Sequence, residues 1–435
     1  MKQKQKKQIE PSVISAKEWA SLPPEEREEW RAVNPKYERL PVWCYVCYGL
    51  AALALLIYIA ARIFPPFADF FNQNISEIFR RVLAFLTNPI PFSFGEACLM
   101  LLPVAFGLVV WYAAKYRCDT WRSTWSFVGI LLAVLSLVLS MFVFTFATGY
   151  HGAPLDKKLG LEREKISAQE LYQTALILAD KVNEESENVR YNEENFSVMP
   201  YTRADMNDKL LAAYDTFCAE HSFIDHYDTR LKPVMLSELM NYTHITGIYS
   251  YFTGEANIDI AFPDYTLPFT AAHELAHQRG IAKEDEANMI AFLVCIESED
   301  AYVRYSAYLN MYEYVLNALY TADRDLYVQA KNQACTDVTR EIIAYNRFFS
   351  KYANSTAGSV SGAVNDTFLK FQGTEGTASY GLVVDLSVAY YKHLGLVAER
   401  ESNQVGFDVQ ISPIPASFPL DILPICPVGK AFGLE

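Results

Sequence analysis

Three long stretches without a charged side chain most constrain what this chain can fold into. Val42 to Ala61 gives 20 uncharged, mostly apolar residues, Ala97 to Ala114 gives 18 bounded by Glu96 and Lys115, and Ser123 to Tyr150 gives 28. At about 1.5 Å of helical rise per residue, roughly 20 residues cross the ~30 Å hydrocarbon layer of a bilayer. Trp43, Trp111, Tyr112, Trp121 and Trp125 stand near the ends of these runs, where amphipathic rings favour the membrane interface. The pattern predicts three transmembrane helices with the lipid bilayer as a partner, since core helices of soluble proteins rarely stay uncharged for so long. The 41 residues before Val42 are charged throughout, too long and too mixed for a signal-peptide leader, so the first span is expected to be retained.

Orientation follows from Lys and Arg in the short connections. The N-terminal tail and the loop between the second and third runs carry twelve, against seven on the opposite side counted as far as Lys165. That excess predicts a cytoplasmic N-terminus. The expected organisation is a charged cytoplasmic tail (1–41), a membrane region (42–150, with spans near 42–61, 97–114 and 123–150) and an extracytoplasmic domain (151–435) at the cytoplasmic membrane. Charge divides along the same line: residues 1–149 hold 15 Lys and Arg against 11 Asp and Glu, and the rest hold 22 against 40. An acidic surplus of that size repels phosphate backbones, so nucleic acid is excluded as a partner.

Between the first two runs, Ile75 to Leu86 carries Glu77, Arg80 and Arg81 on one side. It reads either as an amphipathic helix lying in the interface or as part of a packed extramembrane hairpin. Cys44, Cys47 and Cys98 read as membrane packing residues. Cys218, Cys295, Cys335 and Cys426 can pair if they face an oxidising compartment, with at least two expected to stay free.

Past Tyr150 the chain takes on helical periods. Ser167 and Glu170 form a capping box opening a helix to about Asn183, Asp205 to Glu220 repeats apolar residues at three and four spacing, and further helices are expected near 284–322, 336–352 and 380–393. Ile258 to Phe262 alternates apolar and polar residues before Pro263 and reads as a strand. Asn354 to Gly376, rich in Ser, Gly and Thr, reads as a mobile loop, and Pro413 to Pro427 as an extended tail. The expected fold class is therefore mainly α, with three N-terminal transmembrane helices and a mostly helical extramembrane domain holding a small β element.

The stretch that carries chemistry runs from Thr270 to Glu297, TAAHELAHQRGIAKEDEANMIAFLVCIE. His273 and His277 are four apart and project from one face of a helix, with Glu274 beside them. H-E-x-x-H spacing sets two imidazoles on one metal and a carboxylate next to its open position. Zinc in such a site lowers the pKa of bound water to about 7, and the Glu takes up the water proton. A third ligand has a route: Gly280 can adopt positive φ and reverse the chain, and Glu284, Asp285 and Glu286 open the next helix. Acidic residues also suit that helix's positive end in their own right. Glu284 is preferred over Glu286 as the ligand, with Asn288 four residues on hydrogen-bonding a ligating histidine. The strand at Ile258 can offer an edge to an extended peptide.

HELAHQRGIAKEDEAN, with YSYFTGEANI and LPF before it and RYSAYL after it, resembles the bacterial membrane-protein family catalogued as domain of unknown function 3810, over most of the chain. The core motif also resembles zincin metallopeptidases, and Glu284 to Asn288 resembles the ExxAD element of gluzincins. The resemblance implies a gluzincin-type domain with His273 and His277 as zinc ligands, Glu274 as general base and Glu284 as third ligand. The seven residues from His277 to Glu284 are fewer than gluzincins commonly show, and the metzincin pattern would put its third ligand on Lys283, which cannot serve. Tyr249, Tyr251, Arg304 and above all Tyr305 are candidate donors to a developing oxyanion. His244 reads as a satisfied loop histidine. The expected function is a membrane-anchored zinc metallopeptidase acting on peptide or protein substrates. Its rival is a non-catalytic zinc-binding sensor or scaffold of the cell envelope. A transporter is disfavoured because the spans hold no charged residue to make an ion path.

Overall fold

The computed structural model describes residues 16–33, 39–116 and 121–405. The Pro-rich tail and Cys426 lie outside them. The chain divides into two compact units: Met1–Ile63 with Gly95–Phe144, and Phe64–Phe94 with Thr145–Glu435.

Three helices of the first unit are long and apolar enough to cross a membrane: α1 (Val42–Ile63), α2 (Phe94–Tyr116) and α3 (Trp121–Thr145). Cys44 and Cys47 pack with Ala133, and the Tyr48 hydroxyl donates to the Gly129 carbonyl at 2.6 Å. The uncharged run to Tyr150 therefore overstates the third helix. At Phe146 the backbone leaves the helical region (φ −143°, ψ −43°), and Ala147–His151 form a 3-10 turn within the second unit.

That unit is mostly helical. α4 (Ala168–Ser186) starts at the expected Ser167/Glu170 capping box, and α5 (Arg203–Glu220) at an equivalent one built by Thr202 and Asp205. Three short strands follow: β1 (Lys232–Pro233), β2 (Gly247–Ser250) and β3 (Glu255–Ile258), in the order β1-β3-β2. β3 runs parallel to β1 and antiparallel to β2, with Gly247 opposite Ile258. The main helices after them are α6 (Thr266–Gln278), α7 (Glu284–Ile296), α8 (Ala301–Ala322), α9 (Thr336–Ser350), α10 (Thr356–Phe371) and α11 (Val383–His393). One contiguous core buries α4, α6, α7 and α8 together.

The strand ends at Ile258 rather than beginning there. Asp259 stops it by accepting from the Ala261 N–H at 2.8 Å, a turn made by a side chain, and all four residues of β3 are buried in the centre of the sheet. The segment 354–376 is not a loop but contains α10, capped by Ser355, whose Oγ accepts from the Gly358 N–H at 2.9 Å. Its small residues serve close approach: a Cβ on Gly358 would lie 2.5 Å from the His244 ring.

The stretch between the first two spans folds with the second unit as a packed helical segment, Pro65–Phe70, a π-helical turn Phe71–Ser76 and the helix Glu77–Thr87. Arg80 faces inward and is 1% exposed, so it does not belong to a solvated face; Arg81 remains exposed and pairs with Glu77. Two candidate spans separate Ile63 from Thr145. Two crossings would return the chain to the side it left, in keeping with residues 64–94 folding with the part that follows Thr145. The thiols of Cys44, Cys47, Cys98, Cys218, Cys295 and Cys335 are all free.

Candidate metal centre

α6 is buried along its whole length, which follows from its small and apolar residues: TLPFTAAHELAHQ packs a helix closely between sheet and bundle. The two-residue overhang after Gln278 turns at Gly280, in the left-handed region at φ 92°. There a Cβ would collide with the Arg80 guanidinium. The reversed chain then starts α7 at Glu284.

This reversal brings His273, His277 and Glu284 together, with one ligand atom of each within 4.8 Å of the others. Glu284 Oε2 lies 3.2 Å from His273 Nε2 and 3.3 Å from His277 Nε2. Ligands at ~2.0–2.1 Å from a tetrahedral zinc are about 3.3 Å apart, and the two distances from Glu284 to the histidines match that spacing. His277 Nδ1 sits 2.7 Å from the Ile281 carbonyl. With Nδ1–H donating in that contact, Nε2 is the atom left for a metal, which would displace the proton that Glu284 favours there. His273 Nδ1 is buried without a hydrogen-bond partner, with Asn288 beside the ring.

The charges respond to each other. Burial alone would raise the Glu284 carboxyl, but His277 and His273 hold it well below the usual carboxylate range. Burial would lower His277, yet the Glu284 carboxylate lifts it to about 9. His273 is pushed down by burial and by its neighbour His277. These are the traits of a negative ligand held between two imidazoles. Glu274 is different: burial raises it to about 8, and its Oε2 has no hydrogen-bond partner. β2 lies directly over it, since a Cβ on Gly247 would stand 2.5 Å from Glu274 Oε1.

The four side chains line a half-open cleft of about 570 Å³. Its walls come from the segment after α3 (Phe146, Tyr150), from β2 and the residues before it, from α6 and α7, and from one face of α10 (Ser361, Val364, Asn365, Phe368). Asn288 is on the wall, its amide donating to the Tyr314 hydroxyl at 3.4 Å. Tyr249 and Tyr251 also line it. Glu286 takes no part: its carboxylate accepts from the Leu155 N–H and pairs with Lys283. Tyr305 and Arg304 stand elsewhere. The Tyr305 hydroxyl donates to Glu341 at 2.5 Å within the core, and Arg304 pairs with Glu185. His244 lines the cleft with its Nε2 2.7 Å from the Tyr352 carbonyl.

Several neighbours of the site escape sequence reasoning. Phe146 lies with its ring 5.8 Å from that of His277. Asn72 donates to the Gly280 carbonyl at 2.9 Å and accepts from Arg80 at 2.8 Å. Arg80 in turn donates to the carbonyls of Thr145 and Asn72, both at 2.9 Å. These residues lie far from the motif in sequence and no local pattern marks them.

Neither a curated protein nor a solved structure matches the chain. A family model described as a protein of unknown function, DUF3810, matches residues 71–388, which are 318 of the 435 residues and include Asn72, Arg80 and every side chain of the trio. The chain therefore belongs to the DUF3810 family.

Proposed function

We propose that this protein is a membrane-anchored, zinc-dependent peptidase with a zincin-like domain of the gluzincin type. The observation that carries the reading is the closeness of Glu284 to both histidines, with Glu274 Oε2 unpaired in the same cleft. His273, His277 and Glu284 would hold the zinc at the cleft they line.

Bound there, zinc would act as a Lewis acid and bring the pKa of a bound water to about 7. Glu274 holds and moves the proton: a cation held beside it would favour its carboxylate form, which can take a proton from water and return it to a leaving amine. β2 bonds to β3 on one side only, and an extended peptide can add to its other edge through backbone hydrogen bonds. The edge role expected for the strand at Ile258 thus passes to Gly247–Ser250. Asn288 steadies His273 from the cleft wall. We assign oxyanion support to Tyr314, whose hydroxyl adjoins Asn288, rather than to Tyr305. The excess of Lys and Arg around the N-terminal tail supports placing the second unit outside the cytoplasmic membrane.

The test is hydrolysis of a mixed peptide pool by the zinc-loaded full chain in detergent. Glu274→Gln is expected to lose at least about 10²-fold in turnover, the scale of a lost general base, while zinc content is unchanged. Turnover that survives the substitution, or its absence in the native chain with zinc bound, would favour the non-catalytic sensor or scaffold.

A further inference from the structure

From the walls of the cleft we infer that its substrates are internal segments of polypeptide carrying a bulky apolar side chain beside the cleaved bond. The inference rests on the peptidase reading above and adds the substrate class.

The wall next to the metal trio is aromatic. Phe146 stacks on Tyr251, with ring centroids 6.2 Å apart and planes 8° apart, and stands edge-on to His277 at 5.8 Å. Tyr150 meets Phe368 of α10 edge-on at 6.2 Å, which joins the two sides of the cleft. Val364, 65% exposed, comes from the same face of α10. A side chain entering on this side meets the rings of Phe146, Tyr150, Tyr251 and Phe368 and the methyls of Val364. Burying a large apolar side chain contributes about 1.5–3 kcal/mol, whereas a charged one would lose its hydration without gaining a partner.

The cleft also lacks the groups that would recognise a chain end. No Lys or Arg is among the described residues lining it, so a free terminal carboxylate finds no counter-charge. Among the described residues its carboxylates are Glu274 and Glu284, which the peptidase reading assigns to the metal site, so no further one is left for a free amine. The imidazole outside the trio, His244, is directed at the Tyr352 carbonyl. Recognition of termini generally uses such charges. Their absence, together with the edge of β2, favours a strand that passes through.

Binding of fluorescent hexapeptides to the zinc-loaded full chain carrying Glu274→Gln tests this apart from turnover. Peptides blocked at both ends with Phe or Leu at the centre are expected to bind at least tenfold tighter than those with Asp or Lys. Unblocking either end should bring no gain. Val364→Asp, at an exposed position that leaves folding intact, should cut the preference for Phe over Lys at least tenfold. Equal or tighter binding of the charged peptides, tightening on unblocking, or no binding by the folded zinc-loaded chain would each overturn the inference. Loss of zinc binding, or turnover by Glu274→Gln in the separate assay, would instead strike at the peptidase reading.

Discussion

At the scale of residues, the site depends on partners that the motif does not contain. Gly280 reverses the chain at positive φ, and its carbonyl is held by Asn72, which is itself oriented by Arg80. The next carbonyl, of Ile281, fixes the His277 tautomer. Asn72→Ala is expected to weaken zinc binding by about 10- to 100-fold, as loss of a support behind a ligand does, with the fold retained by circular dichroism; competition with a chelating dye measures it. Asp259 gives a prediction about pH. Burial lifts its pKa to about 7, above the unfolded value near 4. As pH rises from about 4 to 7 the unfolded chain loses this proton first, so the stability contributed by the neutral form is lost across that window and changes no further above it. Asp259→Asn removes the titration, and Asn241, which donates to Asp259 Oδ2 at 2.7 Å with its amide turned, can turn over to accept. The melting temperature of the variant relative to the native chain should therefore rise by about 2–4 °C for each kcal/mol recovered between pH 5 and 7. A difference that does not change with pH contradicts the burial account.

At the scale of elements, β2 and α10 both line the cleft, and they differ in how far the sequence reveals them. Gly247→Ala would place a methyl group 2.5 Å from Glu274 Oε1. It is expected to lower turnover more than tenfold without loss of zinc, read by comparing activity with metal content. Tyr314→Phe should likewise keep zinc and lose about 10²-fold in turnover, the effect of removing one oxyanion donor. The helices α4 and α5 and the pairing of His273 with His277 are legible because caps and four-residue spacing are local signals. α10 is not, because Gly358 and its neighbouring serines read as flexibility when they in fact allow contact with His244. Alternation in NIDIAFP mimics a half-buried strand, whereas β3 is buried on both faces and ends at the Asp259 turn. Tyr305 looked available in a sequence with 28 tyrosines, and only the fold shows its hydroxyl committed to Glu341.

At the scale of the whole molecule, residues 64–94 fold with the part that follows α3. The apolar runs announce the spans, but nothing local says that the connection between two of them supports a site some 200 residues onward. A chain cut before Thr145 should therefore lose more than its membrane anchor. We expect it to be far more sensitive to limited proteolysis than the full chain, and a fusion that restores residues 64–94 to recover resistance. The central claim is most directly tested by the zinc content of the purified full chain and of His273→Ala, measured by elemental analysis after dialysis. The account predicts about one zinc per native chain and a loss of nearly all of it in the variant. Folded native protein without zinc, or equal zinc in both, would contradict it.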